Sequence, residues 1–363
     1  MSRYVFILGA GASRHAGGPL MNDFLDRAKD LWSSSEVSSN NEHFERVFLA
    51  ISKLQSVHSK SELDINNIES IFSTFEIANV LQKFPSMDST EIEACISSLK
   101  KVIASTLETS IPFSYSGRSL LPSSEYRIMA EMCSRATDLS GSNEISIITF
   151  NYDIALDFAL YSVALNPDYS LDKPPTRRMV PLLKLHGSLN WARAANDSRD
   201  VVPLHLTHYF HAYSVSLIHM GERSAIRIPI SSQLKEFFSQ HRKITVEDDP
   251  VIVPPTWNKV EYHKILSRVW SRAAKELGEA EYIFVIGYSL PETDGFFRLL
   301  YALGTAGGTM LRQFAVFDPD PSGNVRRRFE SLLGPGARAR FRYDQVDMGG
   351  ALRQIDGILP KRA

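Results

Sequence analysis

Five apolar or aromatic residues, Tyr4 to Leu8, run directly into the glycine pair of Gly9-Ala10-Gly11. A run of this kind that ends in glycines predicts a buried strand followed by a backbone turn too tight for side chains. If residues 20–32 form the next helix, the N-terminus of that helix adds a positive partial charge beside the turn. The stretch therefore predicts an anion cradle suited to a pyrophosphate, although a turn that only connects strand to helix explains the glycines equally well.

Two stricter phosphate-binding motifs are absent from the sequence. Arg14 stands where a dehydrogenase fingerprint needs its third small residue, and no acidic residue ends a second strand about twenty residues further on. A hydride-transfer enzyme is therefore not expected. The chain also lacks Gly-Lys-Ser and Gly-Lys-Thr, which excludes a P-loop nucleoside triphosphatase.

Composition narrows the class of protein further. A chain of 363 residues can form one α/β domain with an insertion, or two domains. The 40 lysines and arginines nearly balance the 41 acidic residues, so direct nucleic-acid binding is not expected.

Cys95 and Cys133, each in helix-like sequence, are predicted to be buried free thiols, which suits a cytoplasmic protein. No apolar run approaches the roughly eighteen residues of a membrane span, and no signal peptide is expected.

Hydrophobic spacing predicts a helical insertion between two parts of one α/β domain. Apolar residues recur at intervals of three and four in residues 42–56, 67–83, 90–109 and 123–134. We therefore expect a Rossmann-like domain from residues 1–20 and 140–363, with a helical subdomain at 21–139. Residues 192–249 show no clear pattern and are expected to form an irregular insertion. His205, His208 and His211 lie there, but no acid or thiol completes a metal-ligand set, so no metal site is predicted.

Two mid-chain strands are predicted to end in polar side chains. The run 144–150 is followed by Asn151 and Asp153, which are poor strand residues and would also serve as helix N-caps. The run 180–185 is followed by His186 and Gly187. Because ligands of open α/β sheets bind beyond the carboxyl ends of the strands, a catalytic interpretation of His186 is favoured over a structural one.

Two later strands end in the same way. The run 281–286 is followed by Gly287-Tyr288-Ser289, and the run 311–317 is followed by Asp318, which could hold ribose hydroxyls or could be a turn aspartate before proline. In a doubly wound, mainly parallel sheet all such ends lie along one edge. The sequence therefore predicts that distant residues converge on one cleft, namely Gly9, Asn151, His186, Gly287 and Asp318.

These motifs, taken in order, resemble the nucleotide-binding and catalytic motifs of the sirtuins. The closest likeness is to the bacterial sirtuin-like NAD hydrolases of anti-phage defence, which lack the zinc module of protein-deacylating sirtuins. The residues that carry the resemblance are Gly9 to Ser13 with Gly18 and Pro19, Thr149 to Asp153, Leu185 to Gly187, Gly287 to Ser289, and Val316 to Asp318. The resemblance implies a Rossmann-like, doubly wound sheet with a large helical insertion, which is a sirtuin-like fold.

The chain also departs from the deacylating sirtuins. Two cysteines cannot build a four-cysteine zinc module, Phe150 stands where those enzymes carry Gln, and Pro254-Pro255-Thr256 stands near the place of their Phe-Gly-Glu segment. Since the acyl-peptide groove lies beside the zinc module, these differences disfavour deacylation. NAD cleavage needs no such groove.

The resemblance implies a set of roles. NAD would be a substrate, with the diphosphate held by Gly9, Gly11 and Ser13. Asn151 would bind the nicotinamide ribose and the nucleophilic water, Asp153 would contact the carboxamide, and His186 would act as general base. The remaining cofactor-binding residues would be Ala10, Pro19, Gly187, Gly287, Tyr288, Ser289 and Asp318.

The implied activity is hydrolysis of NAD to nicotinamide and ADP-ribose, which would deplete cellular NAD in abortive infection. No metal is required. Members of this family act as homo-oligomers or with a partner, such as a HerA-like ATPase, an Argonaute or a nucleotide-sensing protein. Two alternatives stay open: an NAD-dependent protein deacylase or ADP-ribosyltransferase, and a non-catalytic nucleotide sensor.

Overall fold

The computed structural model describes residues 3–56, 63–116, 119–137, 144–172, 178–196, 200–218, 225–253, 260–292 and 294–359. The strands are β1 (Tyr4–Leu8), β2 (Phe113–Ser116), β3 (Ser119–Leu121), β4 (Ile145–Thr149), β5 (Asn166–Asp168), β6 (Met179–Lys184), β7 (Gly187–Ala194), β8 (Val201–Pro203), β9 (Ala225–Ile226), β10 (Val246–Ile252), β11 (Tyr282–Ile286), β12 (Gln313–Phe317) and β13 (Phe341–Asp344).

The α-helices are α1 (Phe24–Ser33), α2 (Asn41–Gln55), α3 (Ile68–Leu81), α4 (Ser89–Ser110), α5 (Ser124–Ala136), α6 (Ala155–Ser162), α7 (Leu206–Ile218), α8 (Ile230–Phe237), α9 (Val260–Glu279), α10 (Gly295–Gly304), α11 (Asn324–Leu332), α12 (Pro335–Arg338) and α13 (Met348–Asp356). Short 3-10 helices cover Ala10–Ala16 and Ser38–Asn40, and a π-helical turn, Phe238–Arg242, extends α8.

A seven-stranded parallel sheet forms the centre of the protein, in the order β13-β12-β11-β1-β4-β6-β5. From β1 the chain builds the β4, β6 and β5 side of the sheet, and then returns to the other side of β1 for β11, β12 and β13. The strand order therefore reverses between β1 and β11, where doubly wound sheets bind their ligands. The predicted Rossmann-like, mainly parallel fold is confirmed.

The apolar strands are central because both of their faces are covered. Every residue of β1 and of β4 is buried, as expected for parallel strands flanked by helices. β1 is in register with β11 on one side and β4 on the other, and the rings of Tyr4 and Tyr282 stack at 4.9 Å. The five predicted strands β1, β4, β6, β11 and β12 all belong to this sheet, so their carboxyl ends lie along one edge.

The predicted helical segments of the insertion correspond to α2, α3, α4 and α5. α4 packs against both α2 and α3, and buries an apolar stripe that includes Leu99, Val102 and Ile103. Its start is fixed by a capping box, in which Asp88 accepts from the backbone of Glu91 and the Glu91 side chain accepts from the backbone of Asp88. The Ser- and Pro-rich stretch 110–122 contains the hairpin β2–β3.

Residues 192–249, for which the sequence pattern indicated no regular structure, contain β8, α7, β9 and α8. β7, β8 and β10 form a small antiparallel sheet, and β9 extends the β2–β3 hairpin. β8 has three residues and β9 only two, so the pairing of these two strands depends on tertiary packing more than on local pattern. No helix in the described parts of the chain has the length and apolar character needed to cross a membrane.

Candidate functional site

A cavity of about 860 Å³ lies beyond the carboxyl ends of β1, β4, β11 and β12, at the point where the strand order reverses. Helices α3 and α4 of the insertion close it from the other side through Ile68, Phe72, Ile103 and Leu107. The structure brings most of the predicted site residues to its wall: Ala10, Gly11, Ser13, Pro19, Asn151, Asp153, His186, Gly287, Tyr288, Ser289 and Asp318. Gly9 and Gly187 are not among the described residues that line it.

The glycines of the first turn allow it to pack against the turn that follows β11. The amide of Gly11 donates to the carbonyl of Gly287 at 2.9 Å, and the amide of Gly9 donates to Ile286 at 3.2 Å. A Cβ on Gly9 would lie 2.6 Å from the Gly287 carbonyl oxygen, and Gly287 itself has a φ of +61°. The amides of Gly9 and Gly11 are therefore not available to the predicted anion cradle, because both are used in joining the two turns.

The helix that follows the glycine turn is also different from the one expected. A 3-10 helix, Ala10–Ala16, comes directly after β1, and α1 begins only at Phe24. Asp23 precedes α1, and its carboxylate accepts from the amide of Leu20 at 2.6 Å. The helix that follows the glycine turn directly is therefore the 3-10 helix and not α1.

Asn151 and Ser13 form the centre of a hydrogen-bonded cluster beneath the cavity. The side-chain amide of Asn151 donates to the Ser13 hydroxyl at 2.8 Å and to the Gly9 carbonyl at 2.9 Å. Ser13 in turn donates to Asp153 Oδ2 at 2.8 Å, so that the Tyr126 hydroxyl, also at 2.8 Å, must donate to Ser13. Since Ser13 is only 3% exposed and its hydroxyl is engaged on all sides, this geometry favours a positioning role over the expected diphosphate contact.

Asp153 lies just before Ile154, the N-cap of α6, and both of its carboxylate oxygens accept hydrogen bonds. Its Oδ1 accepts from the amide of Ala155 at 2.9 Å, at the beginning of α6, while its Oδ2 accepts from Ser13. The residue is buried and still borders the cavity. Asp153 therefore helps to start α6 and presents a carboxylate to the site at the same time.

His186 lies in a buried aromatic setting at the end of β6. Its ring makes an edge contact with Phe150 at a centroid distance of 5.1 Å, and Phe150 stacks on Tyr288 at 3.9 Å. The Nε2 atom of His186 lies 3.7 Å from Oδ2 of Asp294, and both side chains are almost completely buried. The structure thus pairs the predicted base with a carboxylate.

Gly187 has a packing role next to His186. Its φ is +90°, and an added Cβ would lie 2.0 Å from the carbonyl oxygen of Val251 in β10. A side chain at this position would therefore collide with the neighbouring strand. The glycine lets β10 approach β7, which is a different task from the predicted contact with NAD.

Several residues that the sequence analysis passed over also line the cavity: His15, Glu125, Asp294, Arg328 and Asp347. Burial lowers the pKa of His15, against the opposing influence of the nearby carboxylates Glu125, Asp153 and Asp347. Asp294, the N-cap of α10, is of a residue type that commonly precedes a helix and could have been recognised from sequence on that ground. His15 carried no such signal, because its neighbours in space come from α5 and α13.

Asp318, at the end of β12, makes the turn interaction expected of an aspartate before proline and also borders the cavity. Its Oδ1 accepts from the amide of Asp320 at 3.0 Å, which is the turn interaction, and the side chain also borders the cavity. Burial raises the pKa of Asp318. Arg328 also borders the cavity and donates to the carbonyl of Ser289 at 3.3 Å.

The three spaced histidines lie away from this cavity. His205 pairs with Asp172 at 3.1 Å, whereas His208 contacts Arg242 at 3.0 Å. Within the described ranges of the chain, no three histidine, cysteine or acidic side chains are grouped so as to hold a metal ion. Pro254 to Thr256, noted for its difference from the sirtuins, lies outside the described residues.

In the comparisons with known proteins, the chain matches solved structures. No protein-family model matches the chain, and no curated protein matches it. The structure of Sir2Tm bound to a propionylated peptide is 12% identical over 98% of this chain and 94% of that chain, with a TM-score of 0.37. A complex of Sir2, a p53 peptide and NAD⁺ is 11% identical over 98% and 94%, with a TM-score of 0.34.

A third structure, described as a structural basis for the mechanism and regulation of Sir2 enzymes, is 11% identical over 98% of this chain and 91% of that chain, with a TM-score of 0.41. Similarity at this level says nothing by itself about a ligand or a reaction. The chemistry of the site has to be inferred from its own residues.

Proposed function

We propose that the cavity binds NAD and hydrolyses the bond between nicotinamide and ribose, which releases nicotinamide and ADP-ribose. The observation that carries this proposal is that Asn151 and His186, which are distant in sequence, border one cavity at the reversal point of the sheet. The two interlocked glycine turns and Asp318 border the same cavity. A dinucleotide is the kind of ligand that doubly wound sheets bind at such a point.

In this proposal each end of the cavity takes one half of the dinucleotide. The turn of Ala10 and Gly11 lies next to the diphosphate, whereas Ser289 and Asp318 secure the adenosine half. The nicotinamide ribose lies beside Asn151, and the carboxamide meets Asp153. Ser13 supports Asn151 from below through its hydroxyl, and Gly9 and Gly187 shape the backbone without touching the ligand.

Cleavage of the nicotinamide–ribose bond passes through a state with positive charge on the ribose. The protein must therefore place a water molecule and the leaving group, and needs no redox chemistry. His186 has the side chain whose ordinary pKa is nearest to neutral pH, so it is the best candidate to remove a proton from the water or from a ribose hydroxyl. Asn151 orients the attacking water and the ribose.

The test is chromatographic measurement of nicotinamide and ADP-ribose after incubation with NAD. We expect Asn151→Ala and His186→Ala to lower cleavage at least about a hundredfold, the loss typical of removing an acid–base group. His205→Ala is the matched control, since His205 is also a buried histidine paired with a carboxylate but lies outside the cavity. Unchanged cleavage in both site variants would contradict the proposal.

The products also distinguish hydrolysis from the related reactions. Free ADP-ribose supports hydrolysis, whereas acetylated or protein-linked ADP-ribose would indicate a deacylase or a transferase. Binding without turnover, including in an assembled complex, would indicate a nucleotide sensor.

The cellular part of the proposal rests on the motif resemblance. We propose a cytoplasmic enzyme that depletes NAD during phage infection and is controlled by self-assembly or by a defence partner. Light scattering of the purified chain, alone and with the products of neighbouring genes, tests the assembly. NAD levels in infected cells that express wild-type protein or His186→Ala test the role in defence.

A further inference from the structure

Asp294 is a buried carboxylate whose two oxygens have different tasks. It precedes α10 and is 1% exposed. Its Oδ1 accepts from the amide of Phe297 at 3.3 Å, which caps the helix. Its Oδ2 accepts from the hydroxyl of Tyr288 at 2.7 Å and faces Nε2 of His186 at 3.7 Å. One oxygen therefore caps the helix, and the other lies beside both the Tyr288 hydroxyl and the imidazole of His186.

We propose that Asp294 is the positioning residue of His186: it holds a proton on Nε2 and stabilises the imidazolium that forms when the ring accepts a second proton. This inference rests on the proposed NAD hydrolysis. A carboxylate beside one nitrogen of an imidazole fixes the tautomer and the ring orientation. The contact of 3.7 Å is longer than a hydrogen bond and lies within the range of an ion pair with a protonated imidazole.

The surrounding residues hold this pair in place. Phe150 contacts the His186 ring edge-on and stacks on Tyr288, so the three rings pack as one unit. Burial, together with the nearby charge of Asp294, raises the pKa of Tyr288 well above its ordinary value, so this hydroxyl stays protonated and donates to Asp294. Tyr152 lies on another side of His186, at a ring distance of 6.3 Å.

The proton balance of the reaction defines the step in which the carboxylate of Asp294 is needed. Water forms the new bond to the ribose carbon, and the electron pair of the broken bond leaves with nicotinamide, which becomes neutral. The water proton passes to His186 and then to solvent, so that NAD⁺ and water give nicotinamide, ADP-ribose and one proton. Between these two transfers His186 is a buried cation, and the carboxylate of Asp294 balances its charge.

The variant Asp294→Asn tests this role because it removes the charge and keeps an N-cap side chain of nearly the same shape. Asp88→Asn is the matched control, since Asp88 caps α4 and is not among the described residues that line the cavity. The first measurement is the pKa and tautomer of His186 by histidine-labelled NMR, with His186→Gln used to assign the signal. The second is NAD turnover as a function of pH.

We expect Asp294→Asn to lower the pKa of His186 by about one unit or more, because an adjacent carboxylate favours the charged imidazole. We also expect turnover to fall at least about tenfold, with KM little changed. Asp88→Asn should change neither. The Asp294→Asn and His186→Ala changes combined should be no worse than His186→Ala alone.

The two proposals fail in different ways. An unchanged pKa and tautomer of His186 in a folded Asp294→Asn variant would overturn the role of Asp294, whatever the activity. A lowered pKa in a protein that never cleaves NAD would support the pair and contradict the proposed reaction. A fall in turnover equal to that of Asp88→Asn would show that Asp294 is a helix cap only.

Discussion

The side-chain amide of Asn151 donates to the hydroxyl of Ser13 at 2.8 Å, and this bond joins the turn after β4 to the 3-10 helix after β1. Ser13 passes the connection on to Asp153 and Tyr126. Ser13, Asn151 and Asp153 therefore form one unit, in which a change to the buried serine is transmitted to the other two side chains that border the cavity. Ser13 supports the site from beneath.

Ser13→Ala tests this arrangement. We expect turnover of NAD to fall with little change in KM, because the lost hydroxyl orients Asn151 and does not hold the diphosphate. The unfolding free energy should fall by about 1–3 kcal/mol, since buried partners are left without a hydrogen bond. Steady-state kinetics and urea denaturation measure the two effects. A large rise in KM at unchanged kcat would instead indicate that Ser13 holds the diphosphate of NAD.

Gly187→Ala tests whether this glycine is needed for backbone packing. The variant combines a positive φ with a clash against the Val251 carbonyl, so we expect a loss of at least about 1–3 kcal/mol in the unfolding free energy. Gly336→Ala is the control, because a Cβ there meets nothing within 4 Å. Thermal unfolding compares the two variants. Equal melting temperatures would show that β10 moves away from the added Cβ without loss of stability.

The sequence was informative wherever one local pattern decided the outcome. Continuous apolar runs predicted β1, β4, β6, β11 and β12, and helical spacing predicted the insertion. β13 was missed because its four residues are only partly buried and include Arg342, as suits an edge strand. Ser13 was assigned to the ligand because its partners Tyr126 and Asp153 are brought to it only by the fold.

The sequence alone did not reveal Asp294, the proposed positioning residue of His186. His186 follows β6, and Asp294 lies in the segment between β11 and α10. Since β6 and β11 lie on opposite sides of β1, no spacing along the chain connects the two residues. The glycine turn was recognised, but the use of its amides was not. That use depends on Gly287, which approaches from a strand formed much later in the chain.

Glu108 makes the stability of the fold depend on pH. Burial raises its pKa from 4.5 to about 7, against the opposing hydrogen bond from the amide of Ser231. The folded state therefore holds this proton more tightly than the unfolded state. The resulting stability is fully present below about pH 4.5, and is lost as the pH rises through about 7.

Glu108→Gln should remove this dependence. Between pH 5 and pH 8 we expect the unfolding free energy of the wild type to fall by about 2–3 kcal/mol more than that of the variant. Urea denaturation at the two pH values measures the difference. Parallel pH profiles for the two proteins would show that Glu108 ionises normally in the fold.

Lys184 anchors the Asn151–Asp153 turn from the interior of the protein. Its ammonium lies 2.9 Å from Asp157 and donates to the Asp153 carbonyl at 2.6 Å, and neither charged side chain is more than 2% exposed. Lys184→Met should cost about 3–5 kcal/mol, because it leaves a buried charge without its partner. Combining it with Asp157→Asn should recover part of that loss in urea denaturation. Additive losses would show that the two charges do not act as a pair.

The most direct test of the central claim is the crystal structure of the His186→Ala variant with NAD bound. The account predicts one NAD molecule in the cavity, with its diphosphate beside Ala10 and Gly11, its nicotinamide ribose within hydrogen-bonding distance of Asn151, and its adenosine near Asp318. NAD bound elsewhere, or with its nicotinamide ribose remote from Asn151 and position 186, would contradict the account.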